Sequence, residues 1–357
     1  MTQDFSAFEG TRALTTQHQF ELAPLLRWLE TEVPGFAGPL QVEVFAGGQS
    51  NPTYKLITPQ ATYVMRAKPG PAAKLLPSAH AIEREYRVMD ALAGSGVPVA
   101  RMIALCNDEN VIGRAFFIME FVAGRVLWDQ SLPGMAPAER SAIYDAMNQV
   151  ISALHSVDVT AAGLADYGKP GNYFGRQIAR WSKQYLASET TPIAAMNQLI
   201  EWLPQHIPVQ AHEPVAVVHG DFRLDNLIFH PTEPRVLAVL DWELSTLGDP
   251  LADFAYHCMS WHVSPGQFRG IAGLDWQALG IPDEASYIAR YCERTGRHIE
   301  GDWNFYLAYN MFRIAAILQG IARRVVDGTA SSAQARAAGE SARPMAELAW
   351  RYAQQAR

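Results

Sequence analysis

Cysteine is scarce in this chain: three residues in 357, Cys106, Cys258 and Cys292, with no C-x-x-C pair. That spacing supports neither a disulfide framework nor a zinc site, and it fits a reducing, cytoplasmic setting. Charge is sparse too, at 18% of residues, and a net value of −7 leaves no general basic face. Nucleic-acid binders and membrane-surface proteins need such a face, so neither class is expected. The opening MTQDFSAFEG lacks a hydrophobic signal core, which argues against secretion. No uninterrupted apolar run is long enough to cross a membrane. The best stretch, Phe305 to Ala322, is broken by Asn310, Arg313 and Gln319 and reads as a buried core helix. Two phosphate-binding signatures are also missing: G-x-x-x-x-G-K-[ST], which excludes a P-loop NTPase, and G-x-G-x-x-G.

What is present is a chain 49% apolar, without repeats or low-complexity segments, that can bury a substantial core. Leu22, Leu25, Leu26, Leu29 and Val33 have helical spacing and predict an N-terminal helical extension over 1–36, closed by Pro34-Gly35. Strand-like runs follow at 42–45, 53–58 and 62–67, then a helix over 79–93, then strands at 101–106 and 115–122. From about Met135 the pattern turns helical, with helices expected at 173–188, 193–205, 250–261, 283–294, 303–325 and 332–353. A hairpin is set among them between Val215 and Asp241. The expected class is α+β: a small β-rich lobe over 37–123, a larger mainly α-helical lobe over 124–357, and a nucleotide cleft between them.

The chemistry concentrates in VVHGDFRLDNLIFH and LAVLDWELSTLGDPLADFAYH. Asp221 and Asn226 are five apart, and Asp241 directly follows an apolar strand. Phosphoryl transfer needs hard oxygen ligands for Mg2+ and a carboxylate near the attacking hydroxyl. A carboxylate, a carboxamide and a second carboxylate on neighbouring strands meet those needs, and Arg223 adds a positive charge close to Asp221. Alone, His219-Gly220-Asp221 is a weak tripeptide, and Asp221 and Asp225 could equally cap turns. The ordered set carries the weight.

H-G-D-x-x-x-x-N followed by D-W-E resembles the motifs of the aminoglycoside phosphotransferase and choline kinase families, distant relatives of protein kinases. The resemblance implies a two-lobed protein-kinase-like fold with ATP and Mg2+ as cofactors. Asp221 would be the base or hydroxyl-orienting residue, and Asn226 and Asp241 the Mg2+ ligands. Asp249 and Asp253 would brace the loop. Gly47-Gly48-Gln49-Ser50-Asn51 resembles the phosphate-covering loop, with Gly47, Gly48, Ser50 and Asn51 as contacts. Arg66 stands where these kinases carry a lysine, and a guanidinium can still hold phosphate. Glu85 is its expected partner because it shares a helix face with Ile82 and Met89, whereas Glu83 does not; Lys68 is an alternative cation. Glu120 and Val122 lie on the expected adenine hinge. Gly220 replaces the arginine of the protein-kinase H-R-D, which points to a small-molecule kinase.

FAGGQSNPTYKL, HAIEREYRVMDAL, FFIMEFVAGRVL and YGKPGNYFGRQIARWSKQY closely resemble the branch whose kinase-like domains occur alone in bacteria or ahead of an acyl-CoA dehydrogenase. That implies a small-molecule hydroxyl acceptor, with a hydroxyacyl-CoA as one candidate, and a functional link to acyl-CoA dehydrogenases. An antibiotic acceptor is less expected, since the C-terminal helices are not conspicuously acidic. Tyr173, Arg176, Trp181, Trp261, Asn310 and Arg313 are the candidate acceptor contacts, although aromatics at helical spacing are commonly core. Two other readings stay open: a pseudokinase-like binding module, suggested by Arg66, and a metal-dependent hydrolase using His219, Asp221 and His230.

Overall fold

The alternating runs between Gln41 and Ala67 form a meander of three strands, β2 (Gln41–Phe45), β3 (Thr53–Ile57) and β4 (Thr62–Ala67). This is a computed structural model of the chain, and it describes residues 10–15, 18–46, 51–69, 81–169, 171–209, 214–330 and 333–356. A two-residue strand β1 (Thr11–Arg12) joins one edge. At the other, β6 (Phe116–Glu120) and β5 (Met102–Cys106) complete an antiparallel sheet in the order β1-β2-β3-β4-β6-β5. By its internal contacts the chain divides into two units. The first comprises 1–132, 160–164 and 223–245; the second comprises 133–159, 165–222 and 246–357. The expected division at 123/124, with the hairpin on the helical lobe and a separate extension over 1–36, therefore differs from the contact division. In that division the hairpin segment and the extension both group with the sheet.

Strand parity decides what each face of the first unit carries. Met65 pairs with Ile118, and both enter one core with Tyr54, Phe116 and Leu56. Helix α1 (Leu22–Glu32) covers this face through the fully buried Leu25 and Leu29, each contributing roughly 1.5–3 kcal/mol. Arg66, one residue along β4, pairs with Phe117 on the opposite face. There the Phe117 ring meets Tyr86 of helix α2 (Ile82–Leu92). The hairpin falls in the same unit, where β9 (Leu227–Phe229) lies between β10 (Val236–Val239) and the short β7 (Arg125–Val126). Gly124 precedes β7 at a point where a Cβ would sit 2.3 Å from the Phe229 carbonyl oxygen, so no side chain fits there.

The second unit is helical around α9 (Trp303–Val326). Helices α4 (Tyr173–Ser188), α6 (Pro250–Cys258), α10 (Ala333–Glu340) and α11 (Ala342–Gln355) pack on it. Helix α3 (Pro137–His155) packs on α8 (Glu284–Thr295) and on β8 (Ala216–Val218), whose partner is β11 (Thr246–Gly248). Helix α5 (Ala194–Trp202) lies against α11, and α7 (Trp276–Leu279) is a single turn. The single helix expected over 332–353 is two. Pro344, in the first turn of α11, lacks the N–H that a continuous helix would bond to Glu340, and its ring crowds that carbonyl. Among the described residues no helix is long and apolar enough to cross a membrane.

Candidate active site

Arg66 is the centre of the first unit's polar network. Its Nε lies 2.8 Å from Glu85 Oε2, and its Nη2 donates to Asp241 Oδ1 at 2.8 Å. Glu243 Oε2 stands 3.8 Å from the same Nη2, and Nη1 donates to Thr53 Oγ1 at 3.3 Å. Thr53 is Arg66's cross-strand partner on β3, so strand register alone supplies that contact. Burial works against the guanidinium's charge, but Glu85, then Asp241 and Glu243, outweigh it and hold its pKa above the ordinary arginine value. Glu85 is only 2% exposed and takes its second hydrogen bond from Asn51 Nδ2 at 2.8 Å. Lys68 pairs instead with Glu83, so the two expected cations have separate carboxylates.

The hairpin sets the distance between the two expected metal ligands. Asn226 ends a 3-10 turn just before β9, and Asp241 follows β10 by two residues. Leu227 pairs with Val239, and the Leu240 N–H donates to the Asn226 carbonyl at 2.8 Å. Both side chains therefore belong to the same end of the hairpin. Asp241 adopts the left-handed conformation, φ 64° and ψ 60°, which costs a non-glycine residue on the order of 1 kcal/mol. Trp242 anchors the turn after it, buried and donating from Nε1 to the Val239 carbonyl at 3.0 Å. Arg223 Nη2 lies 3.6 Å from Asp225 Oδ2.

In the second unit the loop after β8 is gripped mainly through its backbone. Asp253 of α6 accepts from the His219 N–H at 2.7 Å and the Gly220 N–H at 2.8 Å. Burial alone would raise the Asp253 carboxyl. The hydrogen bond and charge of His155, with the His219 amide, outweigh it and hold the pKa below the usual carboxylate value. Asp249, expected to brace this loop, caps α6 by accepting from Leu251 N at 2.7 Å. Gly220 has φ +80°, a conformation that suits glycine and so favours it over the arginine of H-R-D. The Asp221 N–H donates to His219 Nδ1 at 3.1 Å, and the Tyr256 hydroxyl donates to Asp221 Oδ1.

The remaining expected residues scatter. Gly47, Gly48 and Ser50 lie outside the described residues. Glu120 ends β6 and accepts from the Arg101 N–H at 3.0 Å; Val122 lies just past that strand. Arg313, buried in α9, donates to the Gly220 carbonyl, and its guanidinium lies 5.6 Å from the Trp181 ring centre. Tyr173 is buried, with its ring under Gly248. Arg176 donates to the Lys169 carbonyl at 2.8 Å. Trp261 is core, donating to the Pro282 carbonyl at 2.9 Å. Asn310 Nδ2 ties α9 to α6 through the Ala252 carbonyl at 2.9 Å. Of the acceptor candidates, Arg313 bonds directly to the Asp221 loop. Tyr256, which lies in no motif, and Glu243, the last residue of D-W-E, were not among the expected site residues. Tyr256 follows Asp253 by three positions, which on a helix is the same face, and that spacing is the available signal. His219 and His230 turn their ring nitrogens to nearby backbone amides. Among the described residues no group of three or more His, Cys, Asp or Glu side chains is placed to hold a metal ion.

Residues 41–300 match the model of the phosphotransferase enzyme family, APH. The chain belongs to this family. Mouse acyl-CoA dehydrogenase family member 10 is 51% identical over 88% of the chain, and chicken acyl-CoA dehydrogenase family member 11 is 42% identical over 95%. The chain spans less than half the length of these curated relatives, 29% and 44% respectively. A Ralstonia eutropha crystal structure provisionally named an aminoglycoside phosphotransferase is 70% identical, covers 95% of this chain and 100% of its own, and superposes with a TM-score of 0.88. Aminoglycoside phosphotransferase APH(4)-Ia, solved with AMP-PNP and hygromycin B, shares the fold at a TM-score of 0.60 and 18% identity, covering 92% of this chain and 98% of its own. The two-lobed kinase-like class expected from the motifs is thus the fold of this chain.

Proposed function

We propose that this chain transfers the γ-phosphoryl group of ATP to a hydroxyl of a small molecule, with a hydroxyacyl-CoA as the acceptor to try first. The observation that carries the reading is the Glu85–Arg66–Asp241 chain of contacts, which seats a cation between a helix carboxylate and the expected metal ligand. Asp241 and Asn226 offer hard oxygen donors from one end of a hairpin. That suits Mg2+, which takes few protein ligands and fills its shell with phosphate and water. Bound Mg2+ would neutralise charge on the β- and γ-phosphates. Asp221 orients the acceptor hydroxyl and receives its proton as the new O–P bond forms and ADP leaves. A fold relative's complex with AMP-PNP supports an adenine nucleotide. The names of the curated relatives support acyl-CoA chemistry over antibiotic modification.

One observation favours a second reading, a nucleotide-binding module without turnover: Arg66 Nη2 already bonds Asp241 Oδ1. A screen of hydroxyacyl-CoA, aminoglycoside, choline and sugar acceptors, read as ADP release, separates the two. One acceptor should stimulate release. Asp221→Asn should lower that rate about 10^3-fold while leaving Mg-ATP affinity within about threefold by calorimetry. Mg-ATP binding with no acceptor-dependent release would favour the module. No Mg-ATP binding would end both readings.

A further inference from the structure

We propose that Tyr256 is a positioning residue for Asp221, held in place by Arg313. The contact stands on geometry; its consequence for phosphoryl transfer rests on the reading given above. Tyr256 lies on α6, three residues after Asp253, so one face of that helix grips the loop twice. Asp253 takes the backbone amides of His219 and Gly220, and Tyr256 takes the side chain of Asp221 through its hydroxyl. Tyr256 is 3% exposed, so its ring cannot follow a carboxylate that swings away. Arg313 closes the arrangement from α9. Its guanidinium lies 5.2 Å from the Tyr256 ring centre and donates to the Gly220 carbonyl, one residue before Asp221. Loop backbone, catalytic side chain and hydroxyl donor are thereby tied to two helices of one unit.

A hydrogen bond from a phenol to one carboxylate oxygen fixes the rotation of the carboxylate.

The test follows Asp221 in the full chain labelled with carboxyl-13C aspartate, its resonance assigned by its loss in Asp221→Asn. Tyr256→Phe should shift the Asp221 carboxyl resonance at fixed pH, because one carboxylate oxygen loses its hydrogen bond. Replacing Tyr256 with 3-fluorotyrosine, a stronger donor that keeps the ring, should move it the other way and covers the case in which Tyr256→Phe fails to fold. In turnover, Tyr256→Phe should lower kcat about tenfold and leave the KM for ATP within about twofold. An Asp221 resonance that stays unmoved in both substituted proteins overturns the proposal. If no acceptor supports turnover yet the resonance shifts as expected, the functional reading has failed and the contact stands.

Discussion

In the first unit, Glu85 and Asp241 are held by one long side chain, Arg66, whose three nitrogens reach a strand, a helix and a hairpin. In the second unit, the loop carrying Asp221 is held through backbone amides by Asp253 and through its side chain by Tyr256. The first arrangement is made of charges that can exchange partners. A cation or phosphate arriving at Asp241 competes with a guanidinium, and Arg66 can turn while still bonded to Glu85. The second has no such freedom, because the amides of His219 and Gly220 cannot rotate away from Asp253 without moving the chain. A phosphotransferase needs both: charges that yield to a ligand, and a base that does not move.

The largest effect expected from this contrast is on stability. Asp253→Ala strips two buried amides of their acceptor and removes the partner of His155, and should cost about 3 kcal/mol. Asp253→Asn keeps one acceptor and should cost about half as much. Glu85→Gln, in the first unit, should cost less than about 1.5 kcal/mol, since Arg66 retains Asp241 and Asn51 retains an amide oxygen. Urea midpoints followed by tryptophan fluorescence, with hydrogen exchange at His219 and Gly220, measure both. Equal losses for Glu85→Gln and Asp253→Ala would break the contrast.

Next in size is a pH effect confined to the second unit. Burial lowers the His257 pKa from 6.5 to about 4, so the fold holds this ring neutral. As pH falls below 6.5 the unfolded chain takes up a proton that the folded chain refuses. The stabilisation is complete above 6.5 and is lost progressively as pH falls towards 4, by up to about 3 kcal/mol. Asp253, whose pKa is depressed, adds a loss only below the usual carboxylate value of 3.8. Hydrogen exchange at pH 7.5 and pH 5 should therefore show α6 losing protection while β4 and α2 keep theirs. His257→Gln should flatten the change between 6.5 and 4. Equal loss of protection in both units would count against a second-unit origin.

Much of this was legible in the residues. Glu85 was separable from Glu83 because one helix face carries Ile82, Glu85 and Met89, and the ion pair follows from that face and the parity of β4. Asn226 and Asp241 come to one end of the hairpin because two apolar runs flank a polar turn. Tyr256 was not legible. It sits in an apolar run, DFAYHC, where an aromatic reads as core, and only the fold shows that its hydroxyl reaches Asp221. Trp261 and Asn310, read as acceptor contacts, have N–H groups engaged by the backbone carbonyls of Pro282 and Ala252, contacts that sequence spacing does not reveal. The grouping of 223–245 with the sheet was hidden because its contacts, such as the Val239 N–H to the Pro98 carbonyl at 2.9 Å, join residues far apart in the chain.

The smallest expected effect bears most directly on the yielding half of the contrast. Arg66→Lys keeps one positive charge but gives up the planar fork, and a single ammonium cannot span Glu85, Asp241 and Thr53 together. Glu85 lies close against Arg66 and is almost fully buried, so the lysine should stay with it and release Asp241. An ion approaching Asp241 then displaces no guanidinium. Mn2+ affinity in the presence of ADP, read by electron paramagnetic resonance, should rise about threefold, worth roughly 0.7 kcal/mol. Stability should fall by about 1 kcal/mol, the worth of one hydrogen bond. Weaker metal binding in Arg66→Lys would mean that Arg66 orients Asp241 for the ion and does not compete with it. In that case the network around Arg66 would be as fixed as the loop around Asp221, and the contrast between the two units would disappear.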